Sequence, residues 1–334
     1  MTPLWIERLG VVTSVGLNAA QTMGSLLTLT MRAREIGLRH PNGEAMTVCA
    51  APIDTGIGNG PARLAAMMQV ALGECTEDAL SDPSPLVLST PAEGAFPYDA
   101  QALLRSTRPL GEAIDRANSK VLPGGEHAAI GRALVEAEKI LALGRHRACY
   151  VGAVDTLLDR GRLERLMGAS RLPSTLSPDG VIPGEGAAFM RVSADPIRGA
   201  SVYVAGVELA TEEATRASGR MTGRAQAAAA RSALAAAGSR IEDVGLLVKD
   251  TSGERHRFYE TALAVTRLRP SRAQTLPTVT LGSSLGEVGC ALGAISVAYA
   301  AFALERGWTP AKTAMYLGAS EGGLRTAVVL RKGG

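Results

Sequence analysis

The sequence predicts an α/β protein made of two similar halves. Three observations carry this. Short apolar segments rich in β-branched residues recur along the chain, and longer stretches with helical spacing separate them. In each half a strand, a helix and a further strand lead to a Gly-rich turn that opens an Ala-rich helix. No tandem repeat of 20–50 residues is present, which excludes a solenoid.

In chain order, residues 10–15 (Gly-Val-Val-Thr-Ser-Val) form the first predicted strand, and 61–75, uncharged except for Arg63 and Glu74, the first helix. Leu86-Val87-Leu88-Ser89 is the next strand, and 90–118 reads as loop-rich. Residues 125–143 are the clearest amphipathic helix: Ile130, Leu134, Ala137, Ile140 and Leu141 repeat at helical spacing, with Arg132, Glu136 and Lys139 outside. Strands follow at 148–154, 187–192 and 202–209, and 178–199 reads as the junction that divides the chain into halves 1–195 and 196–334. The second half continues with a helix at 223–237, a strand at 244–248, a helix at 259–265 and a strand at 279–281. A buried helix at 286–306 and strands at 315–317 and 326–330 complete the set.

Composition removes several function classes. Of 334 residues 46% are apolar and 20% charged, a globular profile. A net charge of +3, from 35 basic and 32 acidic side chains, argues against nucleic-acid binding by bulk charge. The basic residues include only five lysines, and this arginine and alanine bias reads as genome composition, not a dedicated anion site. Cys49, Cys75, Cys149 and Cys290 lack CxxC spacing and read as buried thiols of a reducing compartment, with no metal or cofactor expected. Charges at Glu7 and Arg8 break any leader pattern. The uncharged run 9–31 is too polar to span a membrane, and 288–304, at seventeen residues, falls short of the ~20 required. A cytoplasmic protein with no membrane segment is expected.

Five ordered stretches carry a family resemblance. Leu9-Gly10-Val11-Val12-Thr13-Ser14-Val15-Gly16 is similar to the first strand and turn of β-ketoacyl synthases, and Tyr150-Val151-Gly152-Ala153-Val154-Asp155 to a later strand ending in a turn. Asp179-Gly180-Val181-Ile182-Pro183-Gly184-Glu185-Gly186-Ala187-Ala188 resembles their DGF-x-x-GEGA segment, the most specific of the five. Gly282-Ser283-Ser284-Leu285-Gly286-Glu287-Val288-Gly289 resembles their GH-x-x-G-x-x-G turn, and Ser320-Glu321-Gly322-Gly323 their GFGG. The resemblance covers most of the chain and implies the thiolase fold, two pseudo-duplicated α/β halves in an αβαβα five-layer sandwich.

The chemistry of that family needs a cysteine at a helix N-terminus, where the helix dipole and free N–H groups activate the thiol. Two histidines then stabilise an enolate. Counting back from His127-Ala128-Ala129-Ile130-Gly131, similar to a helix stretch of the family, places the nucleophile at Pro123, within one residue. Proline has neither nucleophile nor N–H. The first histidine falls on Asp250, the second on Ser283, the family's lysine on Thr278 and its gating phenylalanine on Glu321. All catalytic positions are thus expected to be degenerate; losing one oxyanion donor alone costs about 10²–10³ in rate.

Three residues compete for a relocated role. His127 is either a base beside the old pocket or a packing residue. His256, in Glu254-Arg255-His256-Arg257, either faces the pocket or belongs to a solvated basic loop. Cys290 either gains reactivity from a helix N-terminus or serves close packing. Two further motifs are set aside. Gly282-Ser283-Ser284-Leu285-Gly286 matches G-x-S-x-G, yet His40, His127, His146 and His256 all precede it, against the hydrolase order. Gly56-Ile57-Gly58-Asn59-Gly60 lacks the strand and lysine of a phosphate loop.

The expected function is therefore that of a catalytically inactive ketosynthase-like subunit. The resemblance implies pairing with an active ketosynthase, as chain-length factors do, through an edge strand at residues 117–122. Arginine clusters at 145–147, 160–171 and 267–272 suit an acidic acyl carrier protein. The rival expectations are an adaptor on this fold with no part in acyl transfer, as a homodimer or within a secretion or effector-loading assembly, and an acyltransferase or thioesterase with relocated residues.

Overall fold

The computed structural model of the protein describes residues 2–76, 83–175, 177–196, 199–213, 221–269 and 276–333. The first half contains β1 (Leu4–Thr13), α1 (Ala19–Leu27), β2 (Arg34–Arg39), β3 (Ala45–Val48), α2 (Gly60–Thr76), β4 (Leu86–Thr90), α3 (Ala100–Arg105), β5 (Lys120–Pro123), α4 (Ala129–Ala142), β6 (Ala148–Thr156), α5 (Arg160–Gly168) and β7 (Glu185–Ser193). Then come β8 (Val202–Thr211), α6 (Arg224–Ala236), β9 (Val244–Lys249), α7 (Arg255–Leu268), β10 (Thr278–Thr280), α8 (Gly282–Leu285), α9 (Ala291–Glu305), β11 (Thr313–Ala319) and β12 (Leu324–Lys332).

Ten strands join in the order β10-β9-β11-β12-β8-β1-β7-β6-β4-β5. The middle link is slight, with β1 and β8 paired only at Leu4–Val204 and Trp5–Tyr203. On each side of it the topology is the same. The first strand of each five pairs antiparallel with the fifth, the fifth antiparallel with the fourth, and the fourth, second and third run parallel. α2 covers the outer face of the first five, α6 and α7 that of the second, and α4 and α9 lie between them. This is the five-layer α/β arrangement that the sequence predicts.

Most elements lie where the apolar patterning places them. α9 begins five residues later than expected, because Gly286 (φ 70°) and Gly289 (φ 57°) take left-handed conformations before it. A Cβ at Gly289 would meet Asp155 Oδ2 at 1.9 Å. α9 is buried on all sides, as its unbroken apolar run implies. Of residues 178–199, read as the junction, 185–193 form the fully buried β7. The elements not foreseen are short or polar. β2 is largely exposed, and α5 is arginine-rich and starts from an Asp159 cap whose side chain accepts from Gly161 N at 2.9 Å. β5, at the end of the sheet, overlaps the edge strand that the resemblance implied at 117–122 but begins three residues later. Among the described residues no helix is long and apolar enough to cross a membrane. All four cysteines are buried and unpaired, as expected.

Candidate functional site

After β5 the chain turns through three consecutive left-handed residues, Gly124 (φ 73°), Gly125 (φ 88°) and Glu126 (φ 41°). Glycine takes this region freely, but Glu126 does so under strain of roughly 1–2 kcal/mol. The turn feeds a short 3-10 segment, Glu126–Ala128, and then α4, so that His127 is held at the inner end of the central layer. The end of β9 supplies Asp250, α7 supplies Arg257, and the glycine turn before α9 supplies Glu287.

These four side chains meet. His127 Nδ1 lies 3.2 Å from Asp250 Oδ2, and Nε2 lies 2.7 Å from Glu287 Oε1. Gly289 N donates to the same Glu287 oxygen at 2.8 Å, and the Ser252 hydroxyl donates to Oε2. Asp250 Oδ2 also accepts from Ala319 N at 2.6 Å, whereas its Oδ1 is buried without a hydrogen-bond partner. Arg257 Nη1 stands 3.9 Å from Asp250 Oδ2, donates to Ala319 O at 3.1 Å, and Nη2 reaches Glu126 at 3.5 Å. Tyr316 donates to His127 O at 2.8 Å, fixing the backbone as well.

The charge states follow from this geometry. Burial disfavours a charged imidazole, but the Glu287 carboxylate and the hydrogen bonds to Asp250 and Glu287 outweigh burial and Arg257, lifting the pKa of His127 to about 9. Burial would raise Glu287, yet His127, Arg257 and the Ser252 hydroxyl together bring it down to about 2. Burial likewise opposes the charge on Arg257, and the surrounding carboxylates, Glu287 first, raise its pKa. At neutral pH His127 and Arg257 are therefore cationic and Glu287 anionic. The imidazolium donates from both nitrogens and keeps no lone pair for a proton or a metal.

Beside it lies a cavity of about 320 Å³, lined by Glu126, His127, Arg162, Arg171, Arg257, Glu287 and Glu321 among others. Arg162 is paired at 2.5 Å with Asp155, which also accepts from Cys290 N at 2.9 Å. Arg171 binds Glu254 at 2.8 Å and Glu321 at 2.5 Å. No cysteine lines this space. Cys290 is buried behind it with its thiol pKa pushed well up, by burial first and then by the Asp155 charge. Such a site can hold charge in place: among its described lining residues there is no cysteine, and both nitrogens of His127 are engaged by carboxylates.

Of the sequence-derived positions, Asp250 joins the cluster and Glu321 lines the cavity. Pro123 ends β5, three residues before Glu126, and its carbonyl accepts from Arg132 at 3.3 Å. The Ser283 hydroxyl donates to Thr280 O at 2.7 Å and that of Thr278 to Leu276 O at 2.9 Å; neither residue lines the cavity. His256 lies in the first turn of α7, also outside the lining. Within the arginine clusters Arg145 and Arg147 are exposed, Arg162 and Arg171 are committed to ion pairs, and 270–272 lie outside the described residues. Sequence reasoning missed Glu126, Arg257 and Glu287 as site residues. The available signal for Glu287 was its place between the two left-handed glycines, four residues beyond Ser283.

No family profile matches the sequence, and no curated protein does. Solved structures match in shape along the whole chain. A ketosynthase (ApeO) in complex with its chain length factor (ApeC) from Xenorhabdus doucetiae gives a TM-score of 0.76 at 16% identity, over 99% of this chain and 98% of that one. The ishigamide ketosynthase/chain length factor gives 0.72 at 20% identity, over 100% of both chains. The oxazolomycin ketosynthase domain OzmH KS7 of Streptomyces albus JA3453 gives 0.81 at 14% identity, over 100% of this chain and 75% of that one. The chain has the thiolase fold of ketosynthases.

Proposed function

We propose that this chain is a non-catalytic ketosynthase-like subunit that works through a protein partner, an active ketosynthase, in the manner of a chain-length factor. The observation that carries the reading is the ion cluster. Where the fold would need a thiolate and neutral donors, the cavity presents an imidazolium whose two nitrogens are already committed, flanked by the Asp250 and Glu287 carboxylates. A developing enolate or oxyanion there meets Glu287, and like charge at short range in a buried site opposes it strongly. Glu287, four residues beyond Ser283, stands beside His127 as a carboxylate that cannot stabilise an enolate, and among the described lining residues none stands in for the cysteine.

Partner binding is supported by β5. It closes one end of the sheet and, among the described residues, pairs only with β4, so its outer edge is available to a second subunit. Acidic carrier proteins fit the exposed arginines 145 and 147. Native mass spectrometry of the tagged chain drawn from its own cells tests this: a one-to-one complex with a ketosynthase is expected. Unchanged activity and product length in a reconstituted ketosynthase lacking this chain overturn the reading.

One observation favours a second reading, an adaptor with no part in acyl transfer. The cavity is small and ringed by ion pairs, a poor channel for an acyl chain. A homodimer, or a complex with proteins unrelated to acyl transfer, in the same measurement selects it.

A further inference from the structure

A second groove, of about 470 Å³, lies on the other side of α5. Its lining includes five consecutive residues of β2, Arg34 to Leu38, and none of β3. A space that touches five successive residues of a six-residue strand, facing both ways, but not the strand's partner, runs along the strand's free edge. β3 sits on the inner side, where Cys49 N donates to Pro183 O at 2.8 Å and ties the hairpin to the entrance of β7. Among the described residues, Arg34 to Leu38 make no main-chain hydrogen bond apart from those to β3. The opposite wall is Ile57, Gly58, Arg160 and Leu163.

The groove therefore combines an unpaired strand edge, an apolar floor and a basic rim. Ile36, Leu38 and Ile57 are half-buried around Leu163, which is fully buried. Arg34 has no carboxylate partner among the described residues, and Arg160 has only the exposed Glu164 one turn on, a pair of little strength. Arg32 and Arg39 extend the positive charge past both ends, against a single acidic lining residue, Glu35. The volume lies within the usual range of ligand sites.

We infer that this groove is a docking site for an extended segment of a partner protein, added as a strand to β2 and carrying acidic side chains alternately with apolar ones. Strand addition satisfies the free edge of β2, and the two-residue side-chain period sends one set of side chains to the floor and the other to Arg34 and Arg160. The inference goes beyond the reading of the cavity and does not depend on it.

The probe is a short fluorescent peptide of alternating valine and glutamate, titrated against the intact chain. Saturable binding is expected, with new amide protection at residues 34–38 in hydrogen exchange. Replacing glutamate by lysine, or N-methylating alternate peptide amides, should weaken binding by about tenfold or more. Gly37→Glu should do the same without unfolding the chain, since nothing lies within 4 Å of a Cβ there and its φ is not positive. Any of three results overturns the proposal: no binding up to about 1 mM, equal binding by the lysine peptide, or equal binding to the Gly37→Glu variant. Concentration-dependent protection of 34–38 in the chain alone assigns the edge to a second copy and overturns it too.

Discussion

Glu185 opens β7 and Arg325 stands one residue into β12, matching ends of the fifth strand in each set, and each is neutralised by a helix residue of opposite sign. Glu185 takes Arg63 of α2, with Nε donating to Oε2 at 2.7 Å; Arg325 takes Glu260 of α7, donating to Oε1 at 2.6 Å. All four side chains are nearly or fully buried. The two halves thus anchor equivalent strand ends with pairs of reversed polarity.

Removing one member of either pair leaves a buried charge. Glu185→Gln and Arg325→Met should each lower unfolding free energy by about 3–5 kcal/mol in urea denaturation. The double replacement Arg325→Met with Glu260→Leu should lose less than Arg325→Met alone. Additive losses would show that the pair does not couple.

Stability should depend on pH through His127 and Glu287. The folded pKa of His127, about 9, lies above its ordinary 6.5, so its share is complete below 6.5 and is lost as pH rises through 9. That of Glu287, about 2, lies below 4.5, so its share is complete above 4.5 and is lost as pH falls through 2. Urea midpoints should plateau between these limits. His127→Asn should flatten the alkaline limb and lower the plateau.

No cysteine of the folded chain should react quickly with iodoacetamide at neutral pH. Burial pushes Cys49 up to about 11 and Cys149 up to about 12, and drives Cys75 and Cys290 well above the usual thiol range. Mass spectrometry should show unmodified native protein and four adducts after unfolding. One thiol modified within minutes in the folded state would argue for an active nucleophile.

Leu29 carries a left-handed φ of 54° with its side chain 72% exposed. Asparagine tolerates that region, and no buried contact is lost. Leu29→Asn should stabilise the chain by a few tenths to about 1 kcal/mol, read from the denaturation midpoint.

The sequence made the framework legible because burial on both faces leaves an apolar record: β6, β7 and α9 are continuous runs that admit few polar residues. β2 and α5 left no such record, since their exposure permits charges at most positions. The site was half legible. Asp250 follows directly from the end of β9, but Glu126, Arg257 and Glu287 converge from segments up to 161 residues apart. Nothing in local pattern foretells that an isolated histidine will sit between two carboxylates. Pro123 rests on counting back from His127 and Ser283 on its place in a turn motif, and the left-handed residues at 124–126, 286 and 289 redirect the chain close to both.

The burial of α9 has a consequence for the order in which the molecule forms. Its fifteen residues have almost no wet side, and the inner face of β7 is covered by them. β7 ends at Ser193, however, and α9 emerges about a hundred residues later. At ribosomal speeds of roughly 5–20 residues per second, the first five strands wait several seconds with that face open to water. Until then the nascent chain presents a sticky apolar surface to its neighbours, a hazard of aggregation written into the connectivity. Truncation before residue 291 should give not a smaller folded protein but an aggregate.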